Sequence, residues 1–99
     1  MDKITVTVDS DLAELIPGYL ENRRKDIQSI KESIGRDNFE SIRMMGHSMK
    51  GSGGGYGFDF VSEVGKSIED AAIDSDVESI ETQIVNLEDY LSRLEVVFE

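Results

Sequence analysis

The chain has no cysteine, one histidine and one proline. The missing cysteine excludes a disulfide framework, a thiolate metal site and a cysteine nucleophile. A single histidine without cysteine also excludes a structural zinc site. No apolar run approaches the length of a membrane span, and residues 1–3 begin no signal-peptide pattern. The 99 residues are therefore read as one small domain, 1–99, of a cytoplasmic protein without a membrane partner. A chain beginning at Met1 is expected to be freestanding, and it is taken as a monomer.

Basic residues are scarce in one half. Residues 1–50 carry eight Lys/Arg and nine Asp/Glu, a balance of -1, whereas residues 51–99 carry two and twelve, a balance of -10. The total of -11 should repel nucleic acid and anionic membranes. The acidity either keeps the chain soluble or steers a partner, and composition leaves both open.

What is present is helical periodicity. Ile4-Thr5-Val6-Thr7-Val8 alternates and is β-branched, so it is predicted to be extended. A lone strand has no partner, and residues 1–9 are read as an arm packed on a bundle spanning 10–99. A start at Ser10 or Asp11, with Glu14 placed for a capping box, opens a short helix near 11–16. Pro17 cannot donate a hydrogen bond and breaks that helix from a longer one reaching about Ile34. The longer helix has an apolar line at Ile16, Leu20, Ile27, Ile30 and Ile34. Arg23 falls on that line and needs a partner or a route to water.

Gly35 and Asp37 mark a stop and a new start. The next helix carries Phe39, Ile42, Met45 and Met49 on one face. Asp59 is expected to cap a third helix with the stripe Val61, Val64, Ile68 and Ala71 or Ala72. Ser75 and Glu78 form a capping box for the last helix, whose apolar positions Val77, Ile80, Ile84, Leu87, Leu91, Leu94 and Phe98 alternate spacings of three and four. Four main helices with short links predict an all-α fold. It is an antiparallel up-and-down four-helix bundle with a short extra N-terminal helix and an extended N-terminal arm.

The candidate chemistry gathers at Gly46-His47-Ser48-Met49-Lys50-Gly51, followed by Ser52-Gly53-Gly54-Gly55-Tyr56-Gly57. Positions i, i+3 and i+4 share one helix surface, so His47, Lys50 and Gly51 are grouped. The imidazole lies roughly 140° from the centre of the core face and should point to solvent. Met44 also faces outward, and Arg43 is close by. Six glycines between Gly46 and Gly57 cost roughly 1 kcal/mol each where helical, so close helix packing or access for a partner must compensate. The run is no phosphate-cradling loop, because no strand precedes it and no Gly-Lys-Ser/Thr closes it. Ser48 and Ser52 are read as ordinary helix-surface residues. A neutral imidazole is nucleophilic near pH 7. Acid–base catalysis would need convergent groups and a pocket that the pattern does not offer.

His47-Ser48-Met49-Lys50-Gly51 resembles the phosphoacceptor motif of histidine-containing phosphotransfer (HPt) domains. The similarity extends to Leu15–Arg24, to Gly46–Phe58 and to Gly65 with Glu69-Asp70-Ala71-Ala72. The resemblance implies a phosphoryl carrier of a phosphorelay rather than an enzyme. His47 would accept a phosphoryl group from a receiver-domain aspartate or a sensor or hybrid histidine kinase and pass it to a response regulator receiver domain. Lys50 would offset the phosphoryl charge, Gly51 would leave clearance for the partner, and Glu69 would accept a hydrogen bond from the imidazole. Met44, Arg43 and Gly51 would form the docking surface. No cofactor is expected on this chain, and Mg²⁺ would sit on the receiver. The alternative is an interaction module that binds receivers without being phosphorylated.

Overall fold

The computed structural model describes residues 2–99; Met1, the first residue of the expected arm, lies outside them. Strand β1 (Ile4–Val8) leads into a 3-10 turn at Ser10–Leu12 and then helix α1 (Ile16–Gly35). Helix α2 (Phe39–Ser52), a 3-10 turn at Gly54–Tyr56, α3 (Asp59–Ile73), α4 (Val77–Arg93) and strand β2 (Leu94–Phe98) follow. The protein is a helical bundle of four helices. None is long and apolar enough to cross a membrane among the described residues.

The expected stripes form the core. Ile27 and Ile30 of α1, Ile42 and Met49 of α2, Val64 and Ile68 of α3, and Ile84 and Leu87 of α4 are all buried. Tyr19 and Phe58, which the sequence reading did not single out, join them. Burying each such side chain is worth about 1.5–3 kcal/mol, which is what holds four short-linked helices together.

Two expectations fail at the ends of the chain. The N-terminal segment is no lone arm: β1 pairs in parallel with β2, Ile4 opposite Leu94 through Val8 opposite Phe98. The last helix stops at Arg93, and Leu94 turns to extended backbone at φ -69°, ψ 131°. Val96, Val97 and Phe98 are β-branched or aromatic residues that favour a strand, and β1 supplies the backbone partner. The all-α bundle of four helices stands, and this strand pair is added at its ends. The short N-terminal helix is also absent; only three residues, Ser10–Leu12, wind into a 3-10 turn, with the Asp9 carboxylate accepting from the Asp11 N–H at 2.9 Å. Pro17 sits in the first turn of α1, where no N–H is needed.

The helix links explain two of three shifted caps. Asp37 takes φ 54° and Ser75 φ 52°, each closing the preceding helix. The Asn38 N–H then reaches the Ser33 carbonyl, and the Asp76 N–H the Ala71 carbonyl, both at 2.9 Å. These are the six-to-one bonds of a Schellman ending. The same two residues cap the next helix: Asn38 Oδ1 accepts from the Ser41 N–H at 3.2 Å, and Asp76 Oδ1 from the Ser79 N–H at 3.1 Å. One residue thus ends one helix and begins another, so the caps are Asn38 and Asp76 rather than Asp37 and Ser75. At α3 the cap position is Phe58, with no side-chain bond, and Asp59 is already in the first turn.

Candidate functional site

Helices α2 and α3 pack together more extensively than any other helix pair in the bundle, and glycine is the reason. A Cβ built on Gly46 would lie 2.7 Å from the Glu69 backbone nitrogen and 2.8 Å from the Gly65 carbonyl oxygen. One built on Gly65 would collide with the Lys50 backbone nitrogen and lie 2.7 Å from the Gly46 carbonyl oxygen. Two backbones touch where side chains would otherwise hold them apart. The costly glycines of the sequence are in part compensated here, by close packing.

That contact sets the geometry one turn further on. Glu69 follows Gly65 by four residues and Lys50 follows Gly46 by four, so both project from the same crossing. The Glu69 carboxylate bridges two side chains of α2. Its Oε2 lies 2.8 Å from His47 Nδ1, and its Oε1 accepts from Lys50 Nζ at 2.8 Å. The Glu69 side chain is 12% exposed, Lys50 40% and His47 65%. The carboxyl is therefore recessed beneath an imidazole that stands in solvent.

The bridge favours an ionised carboxylate and sets the tautomer of the ring. The hydrogen bond from Lys50 is the main force holding the Glu69 carboxyl below the usual carboxylate range; the bond to His47 adds to it, and burial opposes both. An ionised carboxylate can only accept, so Nδ1 carries the proton and donates to it. In the neutral ring this leaves the lone pair on Nε2. The arrangement can present a neutral nucleophile while balancing positive charge that develops on the ring.

The other candidates fall around this centre. Gly51 has no atom within 4 Å of where a Cβ would stand. Met44 is 59% exposed. Arg43 pairs with Glu40, Nη2 to Oε1 at 2.6 Å, and its guanidinium feels the Glu69 charge more weakly. Among the described residues no group of His, Cys, Asp and Glu could hold a metal ion.

Several supporting residues went unseen in the sequence. The Ser62 hydroxyl donates to the Lys50 carbonyl at 3.0 Å and accepts from the Gly54 N–H at 2.8 Å, tying the glycine turn to α3. A Cβ at Gly53 would lie 2.6 Å from the Ser62 nitrogen. Ser52 is not an ordinary surface residue, because its Oγ lies 3.0 Å from the Tyr19 hydroxyl. Tyr19 stacks on Tyr56 with centroids 4.2 Å apart. Arg23 finds a partner rather than a route to water: the guanidinium lies 4.4 Å over the Tyr19 ring, and Nε donates to Asp26 at 2.8 Å. Burial pushes the Asp26 carboxyl up, against the pull of Arg23. Only the i, i+3 spacing of Arg23 and Asp26 could have signalled that pair.

A family model described as Hpt domain matches residues 14–96. Comparison with the curated proteins and with the solved structures finds no match.

Proposed function

The chain belongs to the Hpt domain family, whose members carry phosphoryl groups in phosphorelay signalling, and we propose that His47 is the group that carries it here. The Nε2 lone pair attacks the phosphorus of a receiver's aspartyl phosphate. The bond from phosphorus to the acyl oxygen breaks, and its electron pair leaves on the aspartate carboxylate. The phosphorylated ring keeps its Nδ1 proton and becomes cationic, and the Glu69 carboxylate beneath it balances that charge. Transfer to the next receiver is the reverse attack, by a second aspartate. A histidine kinase is an equivalent donor.

The observation that carries this reading is the bond from His47 Nδ1 to Glu69 at 2.8 Å under a ring 65% exposed. Lys50 rests on Glu69 in the free protein and turns to the phosphoryl oxygens once they arrive, gaining a charge-assisted bond. The open space at Gly51 gives the receiver clearance, and Met44 and Arg43 border the docking surface. The metal ion of the reaction belongs to the receiver in this scheme.

The test mixes the protein with a receiver carrying labelled phosphate. Acid-labile label should appear on the wild-type chain and be absent from a folded His47→Gln variant. Label persisting in that variant would refute the assignment. Receiver binding with no label on the wild type would leave an interaction module in its place.

A further inference from the structure

Arg43 stands one turn before His47 on α2. The two positions lie about 40° apart around the helix axis, and residues at this spacing are surface neighbours. A helical side chain leans back over the turn that precedes it, so the His47 ring leans toward Arg43. Nδ1 is held by Glu69 on α3, and the rest of the ring stands in solvent. The bonds to Glu40 chiefly, and more weakly the charge of Glu69, push the Arg43 guanidinium up. Arg43 therefore already lies in the field of the carboxylate that holds the imidazole.

Its present partner is an open one. Arg43 Nη2 donates to Glu40 Oε1 at 2.6 Å and Nε to Oε2 at 3.0 Å. The Glu40 side chain is 68% exposed and that of Arg43 37%. A pair this open to water contributes little to stability, so giving it up costs little. A phosphoryl group on Nε2 offers the same guanidinium a more highly charged acceptor with three oxygens. The planar fork fits two of those oxygens as it fits a carboxylate. Charge balance favours the exchange. Before phosphorylation Arg43 and Lys50 balance Glu40 and Glu69 around a neutral ring. Afterwards the ring carries one positive charge and the phosphoryl group nearly two negative ones, while Glu69 stays committed to the ring.

We propose that Arg43 is a second cation of the phosphohistidine: it exchanges the Glu40 carboxylate for the phosphoryl oxygens, and Glu40 is the competitor that holds it back in the free protein. This rests on the reading of His47 as the phosphoacceptor. It gives Arg43 a contact with the carried group itself, beyond its place beside the docking receiver. The two roles leave different traces. A docking contact changes transfer in both directions alike and leaves the equilibrium between free carrier and free receiver where it was. A contact made only in the phosphorylated carrier shifts that equilibrium.

The experiment measures phosphoryl transfer from one labelled receiver domain to the chain, and the return from the labelled chain to the same receiver. The ratio of the two rate constants is the equilibrium constant. Arg43→Gln should lower it at least roughly fivefold, and Glu40→Gln should raise it roughly two- to fivefold. In an Arg43→Gln background Glu40→Gln should change nothing, because the competitor has no cation left to hold. Arg43→Lys keeps the charge without the fork and should fall between wild type and Arg43→Gln. All these side chains stand at the surface, so circular dichroism should show the fold kept. An equilibrium constant unchanged in Arg43→Gln, or an effect of Glu40→Gln equally large without Arg43, overturns the proposal and leaves His47 in place. A wild-type chain that takes no label overturns the reading of His47 and this proposal with it.

Discussion

Replacing Gly46 by alanine sets two effects of known size against each other. In an open helix the change gains about 1 kcal/mol, because glycine has the poorer propensity. At Gly46 the new methyl would stand 2.7 Å from the Glu69 nitrogen and 2.8 Å from the Gly65 oxygen. Both are backbone atoms, and no rotamer can relieve the clash; α2 and α3 must separate. Overpacking of this kind costs about 1–3 kcal/mol, occasionally more, and a rigid backbone contact belongs at the upper end. The net loss is about 2 kcal/mol, which lowers Tm by roughly 8–16 °C in a domain of this size. Gly51→Ala is the control. It lies in the same helix with nothing within 4 Å, so it should be neutral or gain up to about 1 kcal/mol. Thermal melts followed by circular dichroism read both. If Gly46→Ala melts at or above the wild-type temperature, the helices are not in the contact that places Glu69 under His47, and the account of the site fails with it.

Lys50→Ala should stay folded, with Tm lowered by no more than about 8 °C, while phosphoryl arrival slows or the phosphohistidine lifetime shortens; wild-type values of both would make this lysine a mere surface residue. Glu69→Gln removes a carboxyl whose ionised form the fold favours. The stability it contributes is present above the ordinary value of 4.5 and is lost as pH falls through the lowered one. The variant's stability should therefore fall less steeply below that pH than wild type in acid denaturation, and an unchanged acid limb would count against the bridge. Tyr90 titrates at the other extreme. Burial chiefly, with the charges of Asp59 and Tyr19, pushes its phenol from 10.0 up to about 12. Its contribution is whole below pH 10.0 and is lost as pH rises toward about 12. Tyr90→Phe should flatten the alkaline limb over that window, and identical alkaline melts of the two proteins would refute the assignment.

The sequence made the helices legible because their apolar positions repeat at 3.6 residues and little else competes. The C-terminal strand was hidden by an ambiguity of spacing. Leu94 and Phe98 are four apart, which continues a helical stripe and equally places both on one face of a strand. Val96 lies between them and is partly buried with Leu94, so the period there is two. What decides between the periods is a partner some ninety positions away, β1, and no local window contains it. The caps were missed by one residue for a related reason. Asp37 and Ser75 have good capping side chains, but their backbones are committed to left-handed endings of the preceding helix, and the cap passes to the next residue.

At the candidate site, the helical wheel could place His47, Lys50, Gly51 and Met44 on one surface because all four belong to one helix. It could not bring Glu69 to them, since that distance depends on how close α3 comes to α2. The glycines at 46 and 65 carry that information, but a glycine in a sequence does not say whether it opens a turn, frees a surface or admits a neighbouring backbone. Gly51 and Gly46 are five residues apart in one helix and do opposite things: one faces open space, the other a backbone. The pairing of Gly46 with Gly65, each one turn ahead of a site residue, gives the two glycines one job. They set the depth of the carboxylate, and that depth lets Glu69 hold both the imidazole proton and the lysine while the nucleophilic nitrogen stays in reach of a partner. A longer side chain at either glycine would leave the same residues on the same faces and take away the distance that makes them a site.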